Sequence, residues 1–287
     1  MRRSLTTLAL LAMLSGCTPD KAEQNDVSES ASGTTAGHQQ QTAKQDQVTA
    51  STTFADLSTE MIEQLWQLFP SWAVREGYYA VADQLAIPDN QQRQRVLEFA
   101  GDYQARFAEI DAATLDASAR SDLALIQNFL DKLVWEMSEF KSHEWNPANY
   151  NVSHAFSLIL NTDYAPLDER LRTFSKRLEK VPAYYQAAKE SLDKPASPQL
   201  VLAIQQNEGA KGIFGGELDK KIAESGLEQA EKEELRQRAE AARDAIEGYI
   251  TYLQTMHAEL ENTQDYKDFR IGEELYEQKF ATISRSA

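Results

Sequence analysis

The stretch LALIQNFLDKLVWEMSEF, residues 123–140, decides the fold. Leu123, Ile126, Leu130, Leu133, Met137 and Phe140 recur at alternating steps of three and four, which places them along one face of a helix. Gln127, Asn128, Asp131, Lys132, Glu136, Ser138 and Glu139 fall between them, beside the apolar Leu125, Phe129, Val134 and Trp135. A stripe of this length is the seam that a long bundle helix offers its neighbours. The same rhythm extends outward in both directions. Upstream, Leu57, Met61, Leu65 and Leu68 repeat until Pro70 stops them, and Val96, Phe99, Tyr103, Phe107 and Ile110 form a second stripe behind Asp89 or Asn90 as cap. Downstream, Pro166, Pro182 and Pro198 each stand where a helix opens, with Ser197 as a cap. The longest pattern runs from Leu227 to Leu260. It carries Ile246, Tyr249, Leu253, Met256 and Leu260 inside and the pairs Glu228/Lys232 and Glu234/Arg238 outside.

Composition agrees with this reading. The chain of 287 residues holds 12 Gly and 8 Pro, too few chain-breakers for many short strands. No segment alternates as a strand would, and no period repeats. The expected architecture is all-α, an elongated multi-helix bundle over residues 54–287, preceded by a disordered N-terminal tether. A formal net charge of -16 excludes non-specific nucleic-acid binding, which needs Lys and Arg against phosphate. One Cys excludes an internal disulfide and any multi-cysteine zinc site.

That Cys has a place of its own. Arg2 and Arg3 precede the apolar run Leu5–Leu14, which is about the length of a signal h-region and too short to span a membrane. Leu14-Ser15-Gly16-Cys17 resembles the lipobox of bacterial lipoproteins. Residues 1–16 are therefore expected to be a lipoprotein signal peptide and Cys17 the lipidated residue, with the membrane as partner through its acyl chains. Thr18, rather than Asp, favours the outer membrane, facing the periplasm. From Cys17 to Thr53 there is no aromatic residue, and Val27 and Val48 are the only large aliphatics, so 17–53 reads as a tether that cannot bury enough surface to order itself.

Catalytic motifs are missing where they are sought. His143-Glu144 starts a zinc-peptidase helix, but Pro147 stands where the second His belongs. The residues three before His143, His154 and His257 are Phe140, Asn151 and Gln254, so no Glu-x-x-His pair exists for a di-iron bundle. Gly209–Gly216 lacks the ending and the preceding strand of a phosphate loop and reads as a hinge between helices. Glu273, Glu274 and Glu277 read as a solvated face. The most unusual local composition is Trp145-Asn146-Pro147-Ala148-Asn149-Tyr150, where Trp145, Asn149 and Tyr150 could line a groove for a peptide or a sugar, or else pack a connection between helices.

Five stretches in order carry a family resemblance. They are Phe69-Pro70-Ser71-Trp72-Ala73 with Gly77, then Trp145-Asn146-Pro147 with Tyr150, Tyr164–Leu171, Arg177–Pro182 and Phe269–Tyr276. The layout resembles the N-terminal half of the bacterial domain-of-unknown-function 885 family, many of whose members are exported lipoproteins. The resemblance implies a helical zinc metallopeptidase whose His/Glu motif lies in a second half. No catalytic and no metal residue is carried over here, and zinc is expected only in full-length relatives. It further implies a truncated chain, inactive alone, or one completed by a separately encoded C-terminal half. The apolar faces at 123–140 and 227–260 would then be left partly open. The alternative is a self-sufficient binding module at the cell envelope.

Overall fold

The computed structural model describes residues 34–284, with side chains over 49–281. The expected signal peptide, Cys17 and the first part of the expected tether lie outside the described residues. Twelve helices follow in order among those described, with no strand: α1 Thr34–Leu68, α2 Pro70–Arg75, α3 Asn90–Ala108, α4 Ala117–Trp135, α5 Ser142–Trp145, α6 Ser153–Asn161, α7 Leu167–Leu178, α8 Val181–Ser191, α9 Ser197–Ala210, α10 Gly216–Glu224, α11 Gln229–Thr263 and α12 Gly272–Ser284. The fold is all-α.

Two apolar cores organise these helices. The N-terminal core gathers Phe54, Met61 and Leu65 of α1, Phe99, Tyr103 and Phe107 of α3, and Leu123 and Leu130 of α4. The larger core gathers Phe156 and Ile159 of α6, Phe174 of α7, Tyr185 of α8, Phe214, and Ile246, Tyr249 and Leu253 of α11. Helix α2 joins them. Its neighbouring residues Ala73 and Val74 are both fully buried, Ala73 in the first core and Val74 in the second.

The seam at 123–140 is helical as expected, with one change of pitch. Helix α4 gives way after Trp135 to a π-turn over Glu136–Phe140, closed by the Lys141 N–H on the Glu136 carbonyl at 2.9 Å. Lys141 follows at φ 45°, in the left-handed region. This turn swings Phe140 off the α4 stripe and onto Trp145, ring to ring at 5.2 Å.

Several sequence expectations shift in detail. Helix α1 begins at Thr34, inside the stretch expected as tether: after Gly37 residues 38–53 contain no Pro or Gly, and Ala50 packs on the N-terminal core. Pro166 is the residue before α7, not its first, and Ser197 is the first residue of α9, not its cap. Asp89 does cap α3, accepting from the Gln92 N–H at 2.7 Å. On α11 the Glu234/Arg238 pair forms at 2.6 Å. Glu228 instead builds a capping box with Glu231, and Lys232 turns back to the Ser225 carbonyl. On the expected seams of α4 and α11, Leu123, Leu130, Ile246, Tyr249 and Leu253 are buried within the chain, while Ile126, Leu133, Met137, Met256 and Leu260 are half-buried; the most exposed aromatics, Phe269, Tyr276 and Phe280, collect around α12.

Candidate functional site

Between the two cores lies a cleft of about 440 Å³. Its size falls in the range of small-ligand sites. The start of α2 supplies Ser71 and Trp72, α3 supplies Arg93 and Val96, the π-turn supplies Met137, and α5 supplies His143. The loop before α6 brings Asn149 and Tyr150, α6 itself His154, and α8 Tyr184. Residues far apart in sequence meet here only because α2 and the π-turn bring the two cores side by side.

The loop 145–152 is fixed by buried polar bonds. Asn207, fully buried on α9, donates to the Tyr150 carbonyl at 3.2 Å and accepts from the Tyr185 hydroxyl at 2.7 Å. The Tyr150 hydroxyl donates to the His143 carbonyl at 2.7 Å, and burial pushes that phenol above its ordinary range. The Asp193 N–H adds a bond to the Glu144 carbonyl at 2.8 Å. An unmade bond in such a setting costs about 1–3 kcal/mol, so the loop is held rather than loosely draped.

Of the three groove residues expected from sequence, two reach the cleft. Asn149 and Tyr150 line it. Trp145 does not: its ring meets Phe140 edge to face, its N–H donates to the Phe140 carbonyl at 3.0 Å, and the Lys267 ammonium lies over the ring, 5.8 Å from its centroid. Trp72 takes the aromatic position in the wall instead. Its N–H is tied to Glu76 at 2.9 Å, and its ring meets Trp66 edge-on at 5.5 Å.

The charges in the cleft are one-sided. Arg75, Arg93, His143 and His154 line it, and no Asp or Glu does among the described residues. His143 is held below the usual histidine range, first by burial and then by the positive charge of Arg93, so its imidazole is neutral near pH 7. Its Nδ1 is buried without a hydrogen-bond partner among the described residues. Behind the wall, Arg177 is fully buried and donates to the Ala82 and Gln84 carbonyls and to the Ser71 hydroxyl. Burial lowers it to about 10, still protonated at neutral pH.

Ser71 faces a guanidinium, which cannot take its proton, so the hydroxyl is not activated as a nucleophile. The carboxylate beside a cleft imidazole is Glu144, outside the lining residues and 3.7 Å from His143 Nε2, too far for a hydrogen bond that would pair them for acid–base work. The zinc implied by the family resemblance does not fit these residues: no three His, Cys, Asp or Glu side chains gather among the described residues. His257 is taken by Tyr266, whose hydroxyl lies 2.9 Å from its Nδ1. Lys211 in the Gly209–Gly216 hinge is paired with Glu208 and Glu247, and Glu273, Glu274 and Glu277 are exposed on α12.

A family model described as a bacterial protein of unknown function, DUF885, matches residues 70–285. The chain belongs to this family. A solved structure of a candidate lipoprotein of unknown function from Shewanella oneidensis is similar at 40% sequence identity, with a TM-score of 0.77, over 80% of this chain and 42% of that one. This chain therefore spans less than half the length of that relative. Comparison with curated proteins gives no match. The match to the family takes in α2 through α12 and with them every lining residue of the cleft but Phe69. No helix among the described residues is long and apolar enough to cross a membrane.

Proposed function

We propose that this protein is an envelope lipoprotein, anchored in the outer membrane through acylated Cys17, whose helical domain holds a short peptide in the cleft between its two cores and does not cleave it. The observation that carries the reading is the cleft itself. Aromatic, amide and apolar side chains converge on it, their loop is locked by the buried Asn207, and no nucleophile–base pair stands among them. In longer relatives the same helices would present the peptide to the portion that this chain does not match, and any zinc chemistry would belong to that portion. On this reading the chain is inactive alone.

The test is peptide binding by the full chain in lipid nanodiscs, followed by fluorescence anisotropy with short labelled peptides. Ala86 lines the cleft half-buried, and Ala86→Trp fills part of it. Binding should fall about tenfold or more in the variant, and neither protein should release a cleaved product. Binding unchanged by Ala86→Trp would remove the cleft from the account, and peptide cleavage by the chain alone would remove the non-catalytic reading. The anchor is tested separately. Cys17→Ser should move the protein out of the membrane fraction or leave it unprocessed, since it removes the thiol that the acyl chains need.

A further inference from the structure

The chain carries 45 Asp and Glu, yet among the described residues none lines the cleft, while two arginines do. In so acidic a chain, a wall without a carboxylate and with unspent positive charge marks what the cleft is built to receive.

Arg93 is the centre of this charge. It is half-buried on α3 and makes no ion pair among the described residues. Nη1 donates to the Pro88 carbonyl at 2.9 Å and to the Ser191 hydroxyl at 3.2 Å, and Nη2 donates to the Asn90 side chain. A guanidinium has five N–H donors, so the Nε–H and one Nη2–H are left over. Neutral partners fix the group in place without cancelling its charge. Its field reaches across the cleft, opposing protonation of His143 and easing ionisation of Tyr150. Arg75 is a weaker candidate, because it is largely exposed and pairs with Glu76 at 3.3 Å.

Arg177 adds to the field from below. It is buried without a carboxylate hydrogen-bonded to it, and Asp83, the acid nearest in influence, is already bound to Lys176. By donating to the Ser71 oxygen, Arg177 leaves the Ser71 proton available to an acceptor in the cleft. An anion entering here meets the Arg93 guanidinium and the Ser71 hydroxyl, with the buried charge of Arg177 behind that hydroxyl and Trp72, Val96 and Met137 offering apolar surface beside them.

We infer that the cleft selects ligands by a free carboxylate on an apolar body, the carboxylate held by the unspent donors of Arg93. The inference rests on the cleft being the binding site proposed above, and it names the end of the ligand that is read. A peptide C-terminus and a fatty acid share this chemistry. A carboxylate–guanidinium pair is stronger than a neutral hydrogen bond, and its geometry excludes an amide of the same shape.

The experiment titrates the full chain in nanodiscs with N-acetyl-Leu-Phe as the free acid, with the same dipeptide as its amide, and with octanoate. The acid should bind about tenfold or more tighter than the amide. Arg93→Gln should remove that preference, and Arg93→Lys should keep part of it. Octanoate displacing the dipeptide acid at equal or lower concentration would uphold the carboxylate rule with an acyl chain as its source. Failure of octanoate to compete would uphold the rule with a peptide end as the source. Equal binding of acid and amide by the unaltered protein, still sensitive to Ala86→Trp, would overturn this inference and leave the peptide-binding cleft standing. No binding of any of the three would overturn both. The acid–amide comparison needs no substitution, so it decides the matter even if Arg93→Gln fails to fold.

Discussion

At the scale of single residues, His143 offers the clearest handle. Burial and Arg93 hold its imidazole below the usual histidine range, with Glu144 opposing weakly from 3.7 Å. Because the folded value is depressed, the unfolded chain takes up a proton that the fold refuses. The stability contributed by the neutral ring is complete above the unfolded value of about 6.5 and is lost as pH falls through the lowered folded value. Thermal melts between pH 7.5 and 5 should therefore show stability declining with acid, and His143→Gln should flatten part of that decline. An unchanged slope in the variant would mean that the ring is freely protonated in the fold. The sequence pointed to this neighbourhood because Trp145–Tyr150 is compositionally odd, and two of its three singled-out residues do line the cleft. It could not point to Arg93, His154 or Tyr184. Each reads locally as an ordinary helix residue, and only the packing of two cores brings them to one wall. Nor could it foresee Trp145 turning away, since that depends on the pitch change before Lys141.

At the scale of elements, helices were legible wherever one face is buried and the other wet, because that alternation is written at a period of 3.6 residues. The seams of α3, α4 and α11 are of this kind. Boundaries were less legible: Pro166 and Ser197 each sit one place from their expected positions, since a proline suits the residue before a helix nearly as well as its first turn. The first turns of α1 carry no apolar stripe in their sequence, so a helix there leaves no periodic trace. The π-turn after α4 had no sequence signal either, and it ends on a cost that can be measured. Lys141 sits at φ 45° with an exposed side chain, a conformation that costs a residue with a Cβ roughly 1–2 kcal/mol. Glycine would remove that strain while adding about 0.4–1 kcal/mol of freedom to the unfolded chain. Lys141→Gly should therefore stabilise the protein by about 0.5–1 kcal/mol in chemical denaturation. A loss of stability would show that the lysine itself secures the turn that delivers Phe140 and His143.

At the scale of the whole molecule, the two cores are closed but the surface around α12 is not. Phe269, Tyr276 and Phe280 are 51%, 62% and 58% exposed, the largest exposures among the hydrophobic side chains described. Tyr276 and Phe280 lie one helical turn apart with their rings stacked at 6.4 Å, so they form a single patch rather than scattered exposures. The helix is fastened from its other side, where the Trp135 N–H donates to Gln278 at 2.7 Å and Lys279 lies over the Phe140 ring. Two forces then compete when copies of the chain meet. The aromatic patch favours contact, while a net charge of -16 opposes it at long range. Salt separates them, since the Debye length falls from about 30 Å at 0.01 M to about 3 Å at 1 M and the apolar term is untouched by screening. The chain should thus bind a hydrophobic dye at all salt concentrations and self-associate increasingly as salt rises. The double variant Tyr276→Ser, Phe280→Ser should lose most of both effects without a lower melting temperature, because neither ring supports a core. Sedimentation velocity across a salt series, with dye fluorescence on the same samples, measures the two together. A chain that stays monomeric at high salt and leaves the dye dark would show that the patch is covered by residues of its own C-terminal end.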